Sequence, residues 1–361
     1  MDHITDDHLR RRLTASLTSD RCDFCTRMDR SRPVAVDLGT LVRSVMAAVR
    51  EAYEQTAGPD QGIPTSVAVE EICHRAIDAA VTRAVADCTE RAGWRSRGFS
   101  RPGTTGEVTF VPWSAFRERV RHQRRFTLLS GTDHDEQPPV DMLDVVSAVI
   151  EKLGRVRTLP AGHRVWRGRM RADTTRPGFV AATIGSTPRT RATANRLSPA
   201  GVSMFYGSAD VDTVVAEISA HDVRPYAAVA AFELTRPVAV IDLSAVPEPP
   251  SVFDPDWRSL VHPVAFIRSF SEDLSRPVVL DGREHTEYVP TQVLTEYFRW
   301  LSPLRVEGIV FRSAQNGGIN YVLFTGPEGC VDEHADQPGA MLRLRPHTEL
   351  VVERAPSKQH V

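Results

Sequence analysis

The sequence predicts an α+β protein in two parts: an all-helical stretch over residues 1–155, then a mixed α/β stretch over 156–355, with 356–361 as a tail. Two observations carry this. Before Gly154 apolar residues recur every three or four positions over long segments, which is the spacing of one helix face. After it, short runs rich in Val, Ile, Phe and Tyr are bounded by Gly, Pro, Asn and Ser, as strands are.

In chain order, residues 1 to about 36 are polar and irregular apart from Cys22-Asp-Phe-Cys25. Asp37 is a good N-cap, and Leu38, Leu41, Val42, Val45, Met46, Val49 and Tyr53 then share a helix face until GPDQGIP (58–64) ends it. A second helix is predicted along an unbroken stripe from Val69 through Ile72, Cys73, Ala76, Ile77, Ala80, Val81, Ala84 and Val85 to Cys88, with Gly93 beyond its end. VPWSAFRERVRHQRRF, from Val111, predicts a third helix. GTDHDEQPP (131–139) breaks the chain, and Asp141 to Leu153 predicts a fourth, stopped by Gly154. Past that point HRVWRGRM, GVSMFYGS, YAAVAAFEL, PVAVIDLS, EGIVFRS and INYVLFT are expected as strands. DVDTVVAEISA and PTQVLTEYFRWL, lying between them, have helical spacing.

Composition excludes several function classes. At 361 residues the chain can bury two cores, and 41% hydrophobic with 25% charged residues is ordinary for a globular protein. No apolar run approaches the ~20 residues of a membrane span. MDHITDDHLRRRLT has no apolar centre, so no secretory signal is expected and a cytoplasmic location is. A net charge of −2 gives no whole-chain attraction to nucleic acid. The basic residues are nearly all Arg, so an isolated Arg carries little information. Five cysteines, an odd number, do not make a disulfide framework.

The second half has no metal-ligand set, phosphate loop, serine-hydrolase elbow or GxGxxG. It does carry a sparse ordered set: Arg167 in VWRGRM, Arg196 in NRLSPAG, Tyr206 in MFYGS, Glu217 in TVVAEI, and Ser313 and Asn320 in FRSAQNGGIN. Taken singly, the arginines read equally well as solvated surface residues and Tyr206 as core. Glu217 stands among Val214, Val215, Ala216 and Ile218, so it either reaches solvent from a helix face or is held for function.

Taken together, the set resembles the RES domain, a family of NAD⁺-degrading toxins related in fold to ADP-ribosyltransferases. The resemblance rests on Arg167, on Arg196 with Pro199 and Gly201, and on Tyr206. Ala216-Glu217, Ser313, Gly318-Ile319-Asn320 and the segment EYVPTQ (287–292) complete it, over roughly residues 163–325. Two departures are Trp166 before Arg167, where many members have Tyr, and Asn195-Arg196-Leu197, where short toxins often carry Gly-Arg-Trp.

The resemblance implies NAD⁺ as substrate, with Glu217, Tyr206 and Arg196 catalytic and Arg167, Arg196, Tyr206, Ser313 and Asn320 binding it. The chemistry agrees. Planar guanidiniums suit a diphosphate, and a tyrosine face can stack a pyridinium. A carboxylate near C1′ stabilises the oxocarbenium character that grows as nicotinamide leaves. The acceptor stays open among water, phosphate and a macromolecule, the last making the domain an ADP-ribosyltransferase.

The first half resembles the HEPN-type helical domain found ahead of RES domains, through the early CxxC, the long helices and HQRRF. Some HEPN proteins are ribonucleases with an R-x4-6-H motif, a spacing that Arg117 and His122 meet. Among so many arginines about one such pair is expected by chance. A nuclease with a nucleotide-sensing second half is therefore the reading from a different class. Cys22 and Cys25 could hold half of a zinc site, but Cys73 and Cys88 read as core, and His74 is near only in sequence, so the balance is against zinc. The partners implied are NAD⁺ and an antitoxin or trigger protein acting on the first half. Self-association is left open.

Overall fold

The computed structural model describes residues 1–58, 61–96, 99–100, 107–108, 110–126, 139–174, 179–220, 222–277, 282, 284–335 and 337–353. The tail at 356–361 and most of the break at 131–139 lie outside these. The chain divides into two compact units, Met1–Phe110 with Glu248–Val264, and Val111–Pro247 with Ala265–Val361.

In the first unit, α1 (Asp7–Thr14) is capped by Asp6, whose side chain accepts from Leu9 N. Strands β1 (Leu17–Ser19) and β2 (Ala35–Val36) pair antiparallel. Helix α2 (Leu38–Ala52) is capped by Asp37 through Thr40 N, as its sequence predicts. Strands β3 (Tyr53–Gln55), β4 (Ile63–Pro64) and β5 (Gly93–Ser96) form a small sheet in the order β3-β5-β4, and β6 (Phe99–Ser100) pairs with β7 (Glu107–Val108). This corrects the all-helical expectation: short strands join the helices.

The single helix expected across 69–88 is two, α3 (Thr65–Cys73) and α4 (Ala79–Asp87). Between them Arg75 adopts φ 61°, and Ala76 O accepts from Thr5 N and Asp6 N, so the N-terminal segment holds the turn open. The stripe runs on regardless because Val69, Ile72, Val81 and Val85 enter one cluster with Leu9, Leu13, Leu41, Val45 and Val49.

The second unit holds α5 (Trp113–His122) and α6 (Pro139–Lys152), helices that the sequence groups with the first half. Its ten-stranded sheet, counted among the described residues, is made of β8 (Val156–Leu159), β9 (Arg164–Arg171), β10 (Phe205–Ser208), β11 (Tyr226–Leu234), β12 (Val238–Asp242), β13 (Gly308–Arg312), β14 (Ile319–Leu323), β15 (Cys330–Val331), β16 (Leu342–Leu344) and β17 (Leu350–Glu353). The order is β15-β16-β11-β9-β10-β14-β13-β12-β8, with β17 also on β11. All six runs expected as strands are strands. The remaining helices are α7 (Ala181–Ile184), α8 (Val211–Ser219), α9 (Val261–Leu274), α10 (Glu284–Glu287) and α11 (Val289–Trp300).

Strand β11 explains its own composition. Ala227 to Phe232 are buried without interruption, so both faces of the strand are covered and small apolar residues fill it. Ala227 and Val229 pack with Val214 of α8, while Ala230, Phe232 and Leu234 join Phe205 and Val165 on the other side. Gly168 of β9 lets α8 lie close: a Cβ there would stand 2.6 Å from Val214 Cγ1 and 2.7 Å from Ile218 Cδ1. Gly168→Val is expected to lower stability by about 1–3 kcal/mol through overpacking and to displace α8. A melting temperature equal to the parent's would refute this contact.

At the far side of the sheet Asp242 is buried and accepts from Ser244 N at 3.0 Å, from Ser244 Oγ, and from Arg157 Nη1. Burial works to raise its carboxyl, but the bonds from Ser244 and Arg157 outweigh it and hold the group below its ordinary 3.8. A depressed carboxyl contributes stability that is complete above about pH 4 and is lost as pH falls through the lower folded value. Asp242→Asn should therefore cost about 1–3 kcal/mol near neutral pH. The gap to the parent should narrow in denaturant titrations below about pH 4, and a gap independent of pH would count against the ionised pairing.

Candidate active site

Helix α8 begins at Asp210, whose carboxylate accepts from Thr213 N at 2.7 Å. From that cap Val214 and Ile218 fall toward Gly168 of β9, and Glu217, four residues after the buried Thr213, faces β14. The carboxylate is held through one oxygen. Glu217 Oε1 accepts from Ser313 Oγ at 2.6 Å and from Asn320 Nδ2 at 2.8 Å. Oε2 has no hydrogen-bond partner among the described residues.

The sheet sets these partners. Ser208 lies directly across from Asn320, and Tyr206 across from Val322, so alternation puts all four on one face. Ser208 Oγ donates to Asn320 Oδ1 at 2.7 Å, which fixes the amide with its nitrogen toward Glu217. Ser313 follows β13 and is buried, and its hydroxyl accepts from Gln315 N at 3.1 Å while donating to the carboxylate. Gly318 is needed beside them, since a Cβ there would stand 2.1 Å from Thr213 Oγ1.

Tyr206 is held by its hydroxyl, 2.8 Å from Ser198 Oγ, and burial pushes that hydroxyl's pKa up. Ser198 belongs to a tight turn, bridged from Asn195 to Ser198, that also carries Arg196. The start of α11 clamps this turn. Gln292 Nε2 donates to Asn195 O at 2.8 Å and to Ser198 O at 3.2 Å, and Thr291 Oγ1 donates to Arg196 O. The Tyr-x-Pro-Thr-Gln segment is therefore the support of the Arg196 turn.

Both sequence-predicted arginines are bound to main-chain carbonyls. Arg196 donates to Asp273 O and Arg276 O, at the end of α9 and just past it. Arg167 lies one position from Gly168 and so leaves the opposite face of β9. There its Nε reaches Ile184 O and Gly185 O, each at 2.9 Å, and its Nη1 reaches Tyr206 O, with the guanidinium carbon 5.2 Å from the Phe205 ring centre. Strands β9 and β10 pair only at Trp166 and Ser208, so Arg167 fills the place where they part. Burial, with Arg169 nearby, lowers Arg167 to about 10, and burial also lowers Arg196. Neither forms an ion pair with a carboxylate among the described residues. The pocket wall therefore carries positive charge that a bound anion would offset.

These side chains line one cavity of about 260 Å³. It brings together Arg167, Arg196, Tyr206, Glu217 and Asn320, with Ser313 behind the carboxylate. It also adds Ser208, Arg276 and Tyr288, which the sequence reading passed over. Arg276 is paired with Asp273 Oδ1 at 2.9 Å and is 62% exposed, so it can swing toward a ligand. In an Arg-rich chain nothing marked it. The spacing of Tyr288 inside EYVPTQ was the one signal for that residue.

The R-x4-H pair does not assemble. Arg117 and His122 are five residues apart on α5, which turns them about 140° from each other. Arg117 pairs with Asp273 at 3.1 Å, while His122 lies 3.9 Å from Glu118 Oε2 at the surface. His74, considered for zinc on sequence proximity alone, is not grouped with Cys22 and Cys25; His3 is.

Residues 164–347 match the family model of the RES domain, just over half of the chain. The chain belongs to the RES domain family. Residues 15–134 match the model of HEPN/RES N-terminal domain 1. Among solved structures, the crystal structure of the M. tuberculosis MbcT-MbcA toxin-antitoxin complex is similar over 58% of this chain and 91% of that one, at 15% identity and a TM-score of 0.30. No curated protein matches. No helix among the described residues is long and apolar enough to cross a membrane.

The clamp on the Arg196 turn gives a prediction for this RES domain. Gln292→Leu keeps the side chain's bulk but leaves Asn195 O and Ser198 O without their donor, at about 1–3 kcal/mol. Thermal unfolding should drop accordingly, and protection of amides 195–198 in hydrogen exchange should fall. Unchanged exchange across that turn would refute the clamp.

Proposed function

We propose that this RES domain binds NAD⁺ and breaks its nicotinamide–ribose bond, with Glu217 as the catalytic carboxylate. The observation that carries the reading is the Glu217 carboxylate, fixed by Ser313 and Asn320 through one oxygen, inside a cavity walled by Arg196, Arg276, Tyr206 and Tyr288. Small-molecule pockets usually start near ~300 Å³, so this cavity suits the reacting end of the dinucleotide, with the rest of the molecule at its mouth.

In the reaction the C1′–N1 bond breaks and its electron pair neutralises the pyridinium, so nicotinamide leaves uncharged. C1′ then carries oxocarbenium character, which Glu217 Oε2 stabilises from a position its two donors hold fixed. A fixed charge needs no reorganisation as the transition state forms, and that is the catalytic value of the Ser313–Glu217–Asn320–Ser208 chain. Tyr206, locked through Ser198, offers a ring face to the departing base, and Arg196 and Arg276 offer donors to the diphosphate. Water or inorganic phosphate completes the reaction at C1′ and releases a proton. An NAD⁺-consuming activity of this kind acts as a toxin and calls for a restraining partner, which we place among antitoxin-like proteins.

Glu217→Gln preserves the hydrogen-bonding shape but removes the charge. It should lower kcat for NAD⁺ loss by about 10²-fold or more. Purified protein, mixed with NAD⁺ with and without phosphate, should release nicotinamide; product chromatography then separates hydrolysis, phosphorolysis and transfer to protein. Wild-type turnover by the Gln variant would sink the mechanism. Arg276→Ala should mainly raise KM, by about 10-fold for one lost charge-assisted contact, and a selective fall in kcat would remove it from the diphosphate site.

A further inference from the structure

Outside the cavity, the first unit brings together three side chains that the NAD⁺ reading does not use. Residues 20–29 form a tight hairpin beyond β1. Asp29 N donates to Asp20 O at 2.8 Å, Arg21 and Met28 are bridged, and Cys22 N donates to Arg27 O at 3.0 Å. The tip carries Cys22, buried, and Cys25, exposed. The third group comes from the N-terminus, where the His3 ring sits against Phe24 with centroids 6.1 Å apart.

His3 is oriented as a metal-binding histidine is. Its Nδ1 bonds Asp78 Oδ2 at 2.7 Å, while its Nε2 is buried without a hydrogen-bond partner. The ligand atoms of His3, Cys22 and Cys25 lie within 4.8 Å of one another. Bond lengths near 2.0–2.3 Å around a tetrahedral ion put donors roughly 3.5–3.8 Å apart, so small rotations of the side chains close the set.

Asp78 gives an independent sign. It stands at the N-cap of α4, where its carboxylate would ordinarily accept a helix N–H, yet it makes no such bond and serves His3 instead. The backbone repeats the docking, with Asp78 N donating to His3 O at 2.8 Å.

We propose that His3, Cys22 and Cys25 bind a zinc ion, with Asp78 orienting the histidine and the fourth position open on the exposed Cys25 side. Two thiolates and one imidazole are the donor set that selects zinc over magnesium or calcium. Binding releases the thiol protons and staples three separate segments: the N-terminus, the 20–29 hairpin and the turn between α3 and α4. The site holds the first unit together and is not part of the NAD⁺ chemistry, so its test does not depend on that activity.

The full chain, purified from zinc-supplemented cells in a non-chelating phosphine reductant and dialysed, should carry about one zinc by mass spectrometry. Cobalt substituted for zinc should give the thiolate charge-transfer band and the intense visible bands of a tetrahedral site. The Cys22→Ser/Cys25→Ser and His3→Ala variants should retain less than about a tenth of the metal. His3→Cys, which restores a ligand, should keep both metal and charge-transfer band, and Cys88→Ser should match wild type. Asp78→Asn should weaken zinc about 10–100-fold in competition with a chromogenic chelator. Reduced wild-type protein without zinc or a cobalt band would overturn the proposal, as would full metal content in the double-serine variant. Wild-type content and affinity in His3→Ala would overturn the role of His3.

Discussion

The close seating of α8 on β9 is the constraint from which the candidate active site follows. Gly168 provides the gap, and Val214 and Ile218 fill it to within 2.6–2.7 Å of where a Cβ would be. The same helix turn then has a fixed height above the sheet, which puts Glu217 in reach of a short Ser and a short Asn rather than of longer side chains. Those partners are themselves fixed, Asn320 by its cross-strand pairing to Ser208 and Ser313 by the turn that closes β13 onto β14. A carboxylate with one oxygen satisfied and the other facing a cavity is costly to keep unless the scaffold supplies such rigid donors. The small residues at 168 and 318 therefore shape the candidate site although neither carries a functional group.

The arginines follow a different rule. Arg167 and Arg196 take main-chain carbonyls as acceptors, and no carboxylate neutralises either in direct contact among the described residues. Carbonyl dipoles satisfy their hydrogen-bonding capacity but leave their net charge in place, and burial resists that charge. On the proposed reading, an incoming diphosphate would relieve the imbalance. The two arginines thus differ in task from exposed Arg276, whose pairing with Asp273 can be exchanged for a ligand at little cost.

Much of this was legible in the sequence because strands and helices carry periodicities that survive in a single chain. Each of the six β-rich runs became a strand, and Arg196, Tyr206, Glu217 and Asn320 meet in one cavity. What was not legible depended on long-range contacts. The break between α3 and α4 is hidden because both helices bury the same apolar stripe, and only the N-terminal segment reaching Ala76 O reveals it. The short strands at 17–19, 35–36, 53–55 and 93–96 are too brief for an alternation pattern. Arg276 sits in no recognisable motif, and Ser208, though it closes MFYGS, gains its role only from the cross-strand pairing to Asn320. His3 and Cys22 are nineteen residues apart and meet only through the fold.

The boundary between the two family-model matches also needs a physical reading. The N-terminal match extends to residue 134, yet α5, inside it, packs within the second unit. Trp113 Nε1 donates to Asp273 Oδ2 at 2.6 Å and Arg117 pairs with the same carboxylate at 3.1 Å. Asp273 in turn pairs with Arg276, and its carbonyl accepts from Arg196. A chain begun at residue 156 would thus contain every residue of the RES match but would strip two donors from a carboxylate that is only 12% exposed. Left to one partner, that carboxylate would draw Arg276 closer or shift the end of α9, and Arg196 would move with it. The helix that sequence assigns to the accessory half thus braces the end of α9 to which Arg196 is bonded, and the second unit that holds the pocket begins at Val111.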